Sequence, residues 1–127
     1  MALLRFDKTA PVIVVRAKIK GPNFSLGTRL ALDTGATFTI LPWKIIRQLG
    51  LKIDPDRLET TTTATTVETV PLVIVPKITF LGKSVRNTPC LVKDLPPESG
   101  VDGLLGLSFL HHFSLTINFK KGLLEID

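Results

Sequence analysis

The segment Leu32-Asp33-Thr34-Gly35-Ala36-Thr37 holds the residues best suited to chemistry. An Asp at the end of an apolar run, followed by Thr-Gly, sets a carboxylate at a tight turn. Gly35 lets the backbone come close to that carboxylate and offers it an N–H. Thr34 and Thr37 add hydroxyls. A carboxylate held in this way is positioned, as general acid–base catalysis requires. Asp-x-Gly is also an ordinary Asx-turn, so the tripeptide decides nothing without its context. Asp102 is the one rival; it precedes Gly103 without the Thr/Ser-Gly that would hold it, and reads as a turn or helix-start residue.

Other reactive side chains suggest less. Cys90 sits in an apolar run and reads as a buried structural thiol. His111 and His112 are sequence neighbours that point in different directions, and metal sites need more ligands at helical or loop spacing. Ser108 lacks the Gly-x-Ser-x-Gly frame of a hydrolase elbow. No phosphate-cradling glycine motif occurs. No metal and no cofactor are expected.

The elements that must position the Asp33 loop are mostly extended. Val12 to Lys20 is β-branched and alternating, with Arg16, Lys18 and Lys20 on its outer face, and ends at the turn Gly21-Pro22-Asn23. Phe24 to Leu32 leads into the loop, and Phe38 to Leu41 leads out as a short apolar strand. Pro42 suits the first turn of a helix carrying Trp43, Ile46 and Leu49, with Gly50 as its stop. Leu58 to Val75 reads as a long hairpin with its tip near Thr62, Thr63, Ala64, Thr65 and Thr66, because Thr favours strands over helices. Gly82-Lys83 marks another hairpin turn. Leu104-Leu105-Gly106 opens a second helical stretch through about His111. Leu115 to Phe119 and Leu123 to Ile126 form a closing hairpin. Ala31 to Gly35 and Asp102 to Gly106 echo one another in the order of their elements.

The 127 residues fit a single domain, 1–127. One Cys excludes an intramolecular disulfide, and 44% hydrophobic with 21% charged residues argues against disorder. No apolar run approaches the roughly 20 residues of a spanning helix, and the first residues are too soon charged for a signal peptide. A cytoplasmic protein without a membrane partner is expected. The net charge of +5 lies in residues 1–50, which hold eight Lys/Arg against two Asp. These basic residues alternate or scatter, without clustered aromatics beside them, so a solvated surface is expected and no nucleic-acid partner.

Ala31-Leu32-Asp33-Thr34-Gly35-Ala36-Thr37, with Val101-Asp102-Gly103-Leu104-Leu105-Gly106 some seventy positions later, resembles the retropepsin-like aspartic proteases. In that family an apolar-apolar-Gly segment threads past the Asp-Thr-Gly loop and a short helix follows; Leu104-Leu105-Gly106 and then Leu107 to Leu110 match. The resemblance covers nearly the whole chain. It implies an all-β fold, a closed β-barrel with one or two short helices, that works as a homodimer on peptide or protein substrates. Each chain carries one Asp-Thr-Gly, so a two-fold axis would bring two Asp33 carboxylates together to share a proton. The family pattern makes Asp33 catalytic, with Thr34 tying the two loops across the dimer and Gly35 N–H supporting the carboxylate. Thr37 matches a position whose hydroxyl bonds the outer carboxylate oxygen. The Thr-rich tip, Thr62 to Thr66, takes the place of a substrate-covering flap. The short apolar ends, Met1 to Phe6 and Leu123 to Ile126, are candidate interface strands. The sequence departs from the family at this tip, which lacks glycine, in having no Tyr, and in carrying Leu107 where retroviral members have a basic residue. The rival reading is a catalytically silent dimeric β-domain that binds peptides in the same cleft.

Overall fold

The structure is a computed structural model that describes residues 1–62 and 65–127. Among these residues there are ten strands and two α-helices. The strands are β1 (Ala2–Arg5), β2 (Val14–Lys20), β3 (Ser25–Leu32), β4 (Thr39–Leu41), β5 (Leu58–Thr62), β6 (Val67–Phe80), β7 (Lys83–Val92), β8 (Gly103–Leu105), β9 (Leu115–Asn118) and β10 (Leu123–Ile126). The helices are α1 (Trp43–Leu49) and α2 (Leu107–Leu110). The expected all-β class with short helices holds.

Six strands close on themselves. Their order is β2-β3-β8-β4-β7-β6, and β6 returns to pair with β2 through Lys18–Lys20 against Lys77–Thr79. Alternation in β2 sets the inside from the outside: Val15, Ala17 and Ile19 are buried, whereas Arg16, Lys18 and Lys20 are exposed. The barrel core adds Leu30 of β3, Val75, Ile78 and Phe80 of β6, Leu105 of β8 and Phe109 of α2. Helix α1 covers this core with Ile45, Ile46 and Leu49, and Gly50 closes it in the left-handed conformation.

The stretch Leu104-Leu105-Gly106, expected to begin a helix, instead contributes a strand. Leu30, Ala31 and Leu32 of β3 pair in parallel with Gly103, Leu104 and Leu105, while Ile40 of β4 pairs with Leu104 from the other side. The helix starts only at Leu107. A slot between two strands satisfies the backbone of β8 on both edges, and this outweighs the ambiguous periodicity of a short apolar run. The slot is narrow. A Cβ on Gly103 would collide with the Ile40 carbonyl oxygen, and one on Gly106 would lie 2.6 Å from the Phe38 oxygen and 2.7 Å from that of Ala36. The two segments that echo each other in sequence therefore run side by side.

A separate three-stranded sheet has the order β1-β10-β9. Leu123–Ile126 is its middle strand, paired with Arg5–Ala2 on one edge and Asn118–Leu115 on the other. Leu123–Ile126, a candidate interface strand in the sequence, thus has both of its hydrogen-bonding edges occupied within the chain. The open edges belong to β1 and β9.

Cys90 of β7 is fully buried, and its thiol lies 3.6 Å from the Thr88 carbonyl oxygen. Burial pushes its pKa well up. The native thiol therefore keeps its proton where an unfolded cysteine, with a pKa of about 8.5, loses it. The stabilisation is present below that value and is lost as pH rises beyond it. We expect the stability difference between wild type and Cys90→Ala to be flat below about pH 8 and to shrink by about 1.4 kcal/mol per pH unit above about pH 9. Urea titrations of both proteins across this range check it, and parallel curves would contradict it.

Candidate active site

Asp33 follows β3 directly. Its own N–H donates to the Leu105 carbonyl at 3.0 Å, so β8 holds the first residue of the loop. The loop then folds back, with Ala36 N–H donating to the Asp33 carbonyl at 3.3 Å and Gly35 N–H donating to Asp33 Oδ1 at 2.9 Å. The carboxylate is half-buried. Among the described residues Gly35 N–H is its one hydrogen-bond donor, which leaves Oδ2 available to a water, a substrate or a second carboxyl group.

Thr34 is exposed beside Asp33, with its hydroxyl free to meet another surface. Thr37 is exposed too, and no hydrogen bond joins its side chain to Asp33. Its contribution runs through the main chain: the Thr37 carbonyl accepts from Ser108 N–H at 2.9 Å, next to the Ala36 carbonyl accepting from Leu107 N–H at 2.8 Å. The sequence pattern placed Thr37 on the carboxylate, and the structure instead places it on the start of α2.

Sequence reasoning missed two residues that hold the loop. Thr39 of β4 and Ser108 of α2 are both buried. Thr39 N–H donates to Ser108 Oγ at 2.9 Å, Ser108 Oγ donates to Thr39 Oγ1 at 3.1 Å, and Gly106 N–H donates to the same Thr39 oxygen at 3.1 Å. These bonds join the exit of the Asp33 loop to the exit of β8. The available signal was a small hydroxyl in each of two apolar segments, where a hydroxyl must find a partner if it is buried.

Asp102 is engaged elsewhere. One of its oxygens lies 3.4 Å from Lys44 Nζ, and the other accepts from Arg29 N–H at 3.2 Å. Asp102 N–H donates back to the Arg29 carbonyl at 2.8 Å. It fixes the entry of β8, in keeping with a turn residue. His111 and His112 are exposed, with ring centroids 4.4 Å apart. Among the described residues no three His, Cys, Asp or Glu side chains gather as a metal site, and no helix is long and apolar enough to cross a membrane.

Two cavities flank the loop. One, of about 350 Å³, is lined by Asp33 and Thr34 together with Val12, Leu104, Ile117 and Phe119. The other, of about 310 Å³, lies between the loop residues Ala36 to Phe38 and the strand Glu59 to Thr62. The β5–β6 hairpin thus overhangs the residues just after Asp33, where the sequence placed a flap. Thr62 ends β5, and Thr65 and Thr66 are exposed before β6. Thr63 and Ala64 lie outside the described residues. Below the hairpin, Val70, Leu72 and Leu91 form a small core with Phe38, Ile40 and Ile74.

A closed barrel with an Asp-Thr-Gly loop braced by a threaded strand is the retropepsin-like architecture, and solved structures share it. The chain matches a retropepsin-like aspartic protease from Rickettsia conorii with a TM-score of 0.69 at 23% identity, over 96% of this chain and 94% of that one. It matches the retroviral protease-like domain of Ddi1 from Leishmania major with a TM-score of 0.60 at 16% identity, over 94% and 90% of the two chains. At these identities the likeness is one of fold. No curated protein matches the sequence. A family model described as aspartyl protease matches residues 15–109, which is most of the chain, and the protein belongs to that family.

The Thr39–Ser108 pair can be tested directly. Thr39→Val keeps the shape but orphans Gly106 N–H, and Ser108→Ala orphans Thr39 N–H. Each should cost about 1–3 kcal/mol. The double variant should cost less than the sum, because both substitutions break one network. Urea denaturation of the three variants gives the comparison; additive losses, or losses within error, would remove the network from this role.

Proposed function

We propose that the protein is an aspartic endopeptidase that acts as a homodimer, with residues 1–127 forming its single domain. The observation that carries this reading is the Asp33 carboxylate: held at one oxygen by Gly35 N–H and open at the other, in a loop whose following residues, Ala36 to Phe38, share a cavity with the β5 strand of the hairpin. Peptide hydrolysis by carboxylates needs two of them close enough to share one proton. One chain supplies Asp33 alone, since Asp102 is occupied by Lys44 and Arg29. The second carboxylate is then Asp33 of the partner subunit.

The surroundings of Asp33 support such a partner. The cavity beside it is bordered by exposed apolar side chains, Val12 at 43% and Phe119 at 66% of their full exposure. Thr34 is exposed at the same face, where its hydroxyl could bond across a two-fold axis. The open edges of β1 and β9 offer main-chain groups to a second copy.

In the mechanism, the ionised carboxylate accepts a proton from a water lying between the pair as that water attacks the scissile carbonyl carbon. The protonated carboxyl group donates to the carbonyl oxygen. The tetrahedral intermediate collapses as a proton passes to the leaving amine, with no covalent acyl-enzyme. Thr34, Gly35 and Thr37 would support this loop, the last through its main chain. Substrate would lie extended beneath the β5–β6 hairpin, paired by main-chain bonds. A cytoplasmic location suits a chain whose lone Cys90 is a buried thiol. The alternative, a silent peptide-binding dimer, would need Asp33 to be idle although its loop is intact.

Asp33→Asn keeps the loop's shape but cannot accept the water's proton. We expect peptide cleavage to fall about 10²-fold or more, with the dimer and its melting curve retained. Near-wild-type turnover by this variant would refute the assignment. Activity per chain should also fall on dilution as dimers dissociate. Sedimentation at the assay concentrations tests this, and a fully active monomer would exclude a shared site. The pair works only when singly protonated, so kcat/KM should follow a bell-shaped pH profile with its optimum below neutrality. A profile that rises steadily to alkaline pH would contradict a shared proton.

A further inference from the structure

The inner face of the β5–β6 hairpin carries a carboxylate without a partner. Glu59 stands opposite Val70 and Thr61 opposite Glu68, and directly opposed residues of antiparallel strands share a face. Glu68 is ion-paired with Lys93 at 2.5 Å. Glu59 is half-buried, and among the described residues its carboxylate makes neither an ion pair nor a hydrogen bond. It lines the cavity of about 310 Å³ whose other walls include Phe38, Ile40 and Leu91. Thr61 lines the same cavity, and its Oγ1 is buried with no hydrogen-bond partner.

An apolar floor under an unpaired carboxylate and an unsatisfied hydroxyl is incomplete by itself. Burying polar groups without partners costs free energy, and an incoming cation with several N–H donors removes that cost. A Lys or Arg side chain fits both parts. Its methylene stem can lie along Phe38, Ile40 and Leu91, while its charged head reaches Glu59 and donates to Thr61 Oγ1. An aliphatic side chain would cover the floor and leave both polar groups dry. An acidic one would meet like charge. The chain as a whole is basic, at +5, so its overall field disfavours cationic peptides and any preference for them must be local.

We propose that this cavity is a specificity pocket for one basic side chain, Arg or Lys, of an extended peptide lying between the hairpin and the Asp33 loop. The proposal rests on the peptidase reading above and names its substrate class. The test is digestion of a proteome-derived peptide library made with a glutamyl endopeptidase, which leaves Lys and Arg inside the peptides. Wild type should show Arg and Lys enriched at one position relative to the cleaved bond, and Glu59→Gln should lose that enrichment. On a matched pair of peptides, arginine against norleucine at that position, Glu59→Gln should lower kcat/KM for the arginine peptide about tenfold more than for its twin, the value of one charge-assisted hydrogen bond. Cleavage without basic enrichment at any position, or enrichment that survives Glu59→Gln, would overturn the pocket and leave the peptidase standing. If wild type cleaves nothing, the peptidase reading fails. The pocket is then judged by retention of octapeptide pools bearing one fixed arginine or norleucine. Arginine preference that Glu59→Gln abolishes supports it, and equal retention at every position overturns it.

Discussion

Everything at the Asp33 loop depends on one narrow passage, in which β8 runs between β3 and β4. The loop's first residue hangs on the Leu105 carbonyl, and its exit is tied through Ala36, Thr37 and Thr39 to the segment that follows β8. Two distant parts of the chain must therefore meet before the carboxylate has a fixed position. Gly103 and Gly106 are the residues that let the backbones come so close, and no side chain fits between them. Such a contact gives no reward until the intervening chain is closed. It belongs to the class of long-range pairings that fold slowly and then hold rigidly.

The passage also separates two kinds of packing. On one side is the barrel core, filled by alternate residues of β2, β3 and β6 with α1 and α2 laid against it. On the other is the small cluster of Val70, Leu72 and Leu91 under the hairpin. The first anchors the strands from which the loop leaves and to which it returns. The second sets the height of the hairpin above it with only a few side chains, so it contributes less and yields more easily.

Much of this was legible in the sequence where a local rule operates. Strict alternation exposed the inner and outer faces of β2, and Pro42 with Gly50 bounded α1. Asp33-Thr34-Gly35 announced a held carboxylate, and its pairing with Leu104-Leu105-Gly106 pointed to the family. What stayed hidden depends on contacts between remote segments. Leu104 and Leu105 carry no periodicity that separates strand from helix, and only the slot decides. Thr39 and Ser108 look like incidental hydroxyls until they face each other. Glu59 lies in a Thr-rich run that reads only as one strand of a hairpin, and the fold alone brings it to the same cavity as Phe38, Ile40 and Leu91. Thr37 erred in the opposite direction: a hydroxyl close in sequence to Asp33 makes no hydrogen bond to its carboxylate.

Strand β6 joins these two regimes in one piece of backbone. From Lys77 to Thr79 it is hydrogen-bonded to β2 on one edge and β7 on the other, whereas from Val67 to Val70 it is paired with β5 alone. Between the two, its pairing with β7 skips Pro76 and Asn87, and Asn87 takes a positive φ of 52°. Mechanically this is a beam clamped at its root and held at its far end by β5 and the Glu68–Lys93 ion pair, with a notch along its length. Pro76 has no N–H to give the ladder at this notch, so side chains of the barrel wall beside it bear on the direction in which the outer part of β6 leaves the barrel.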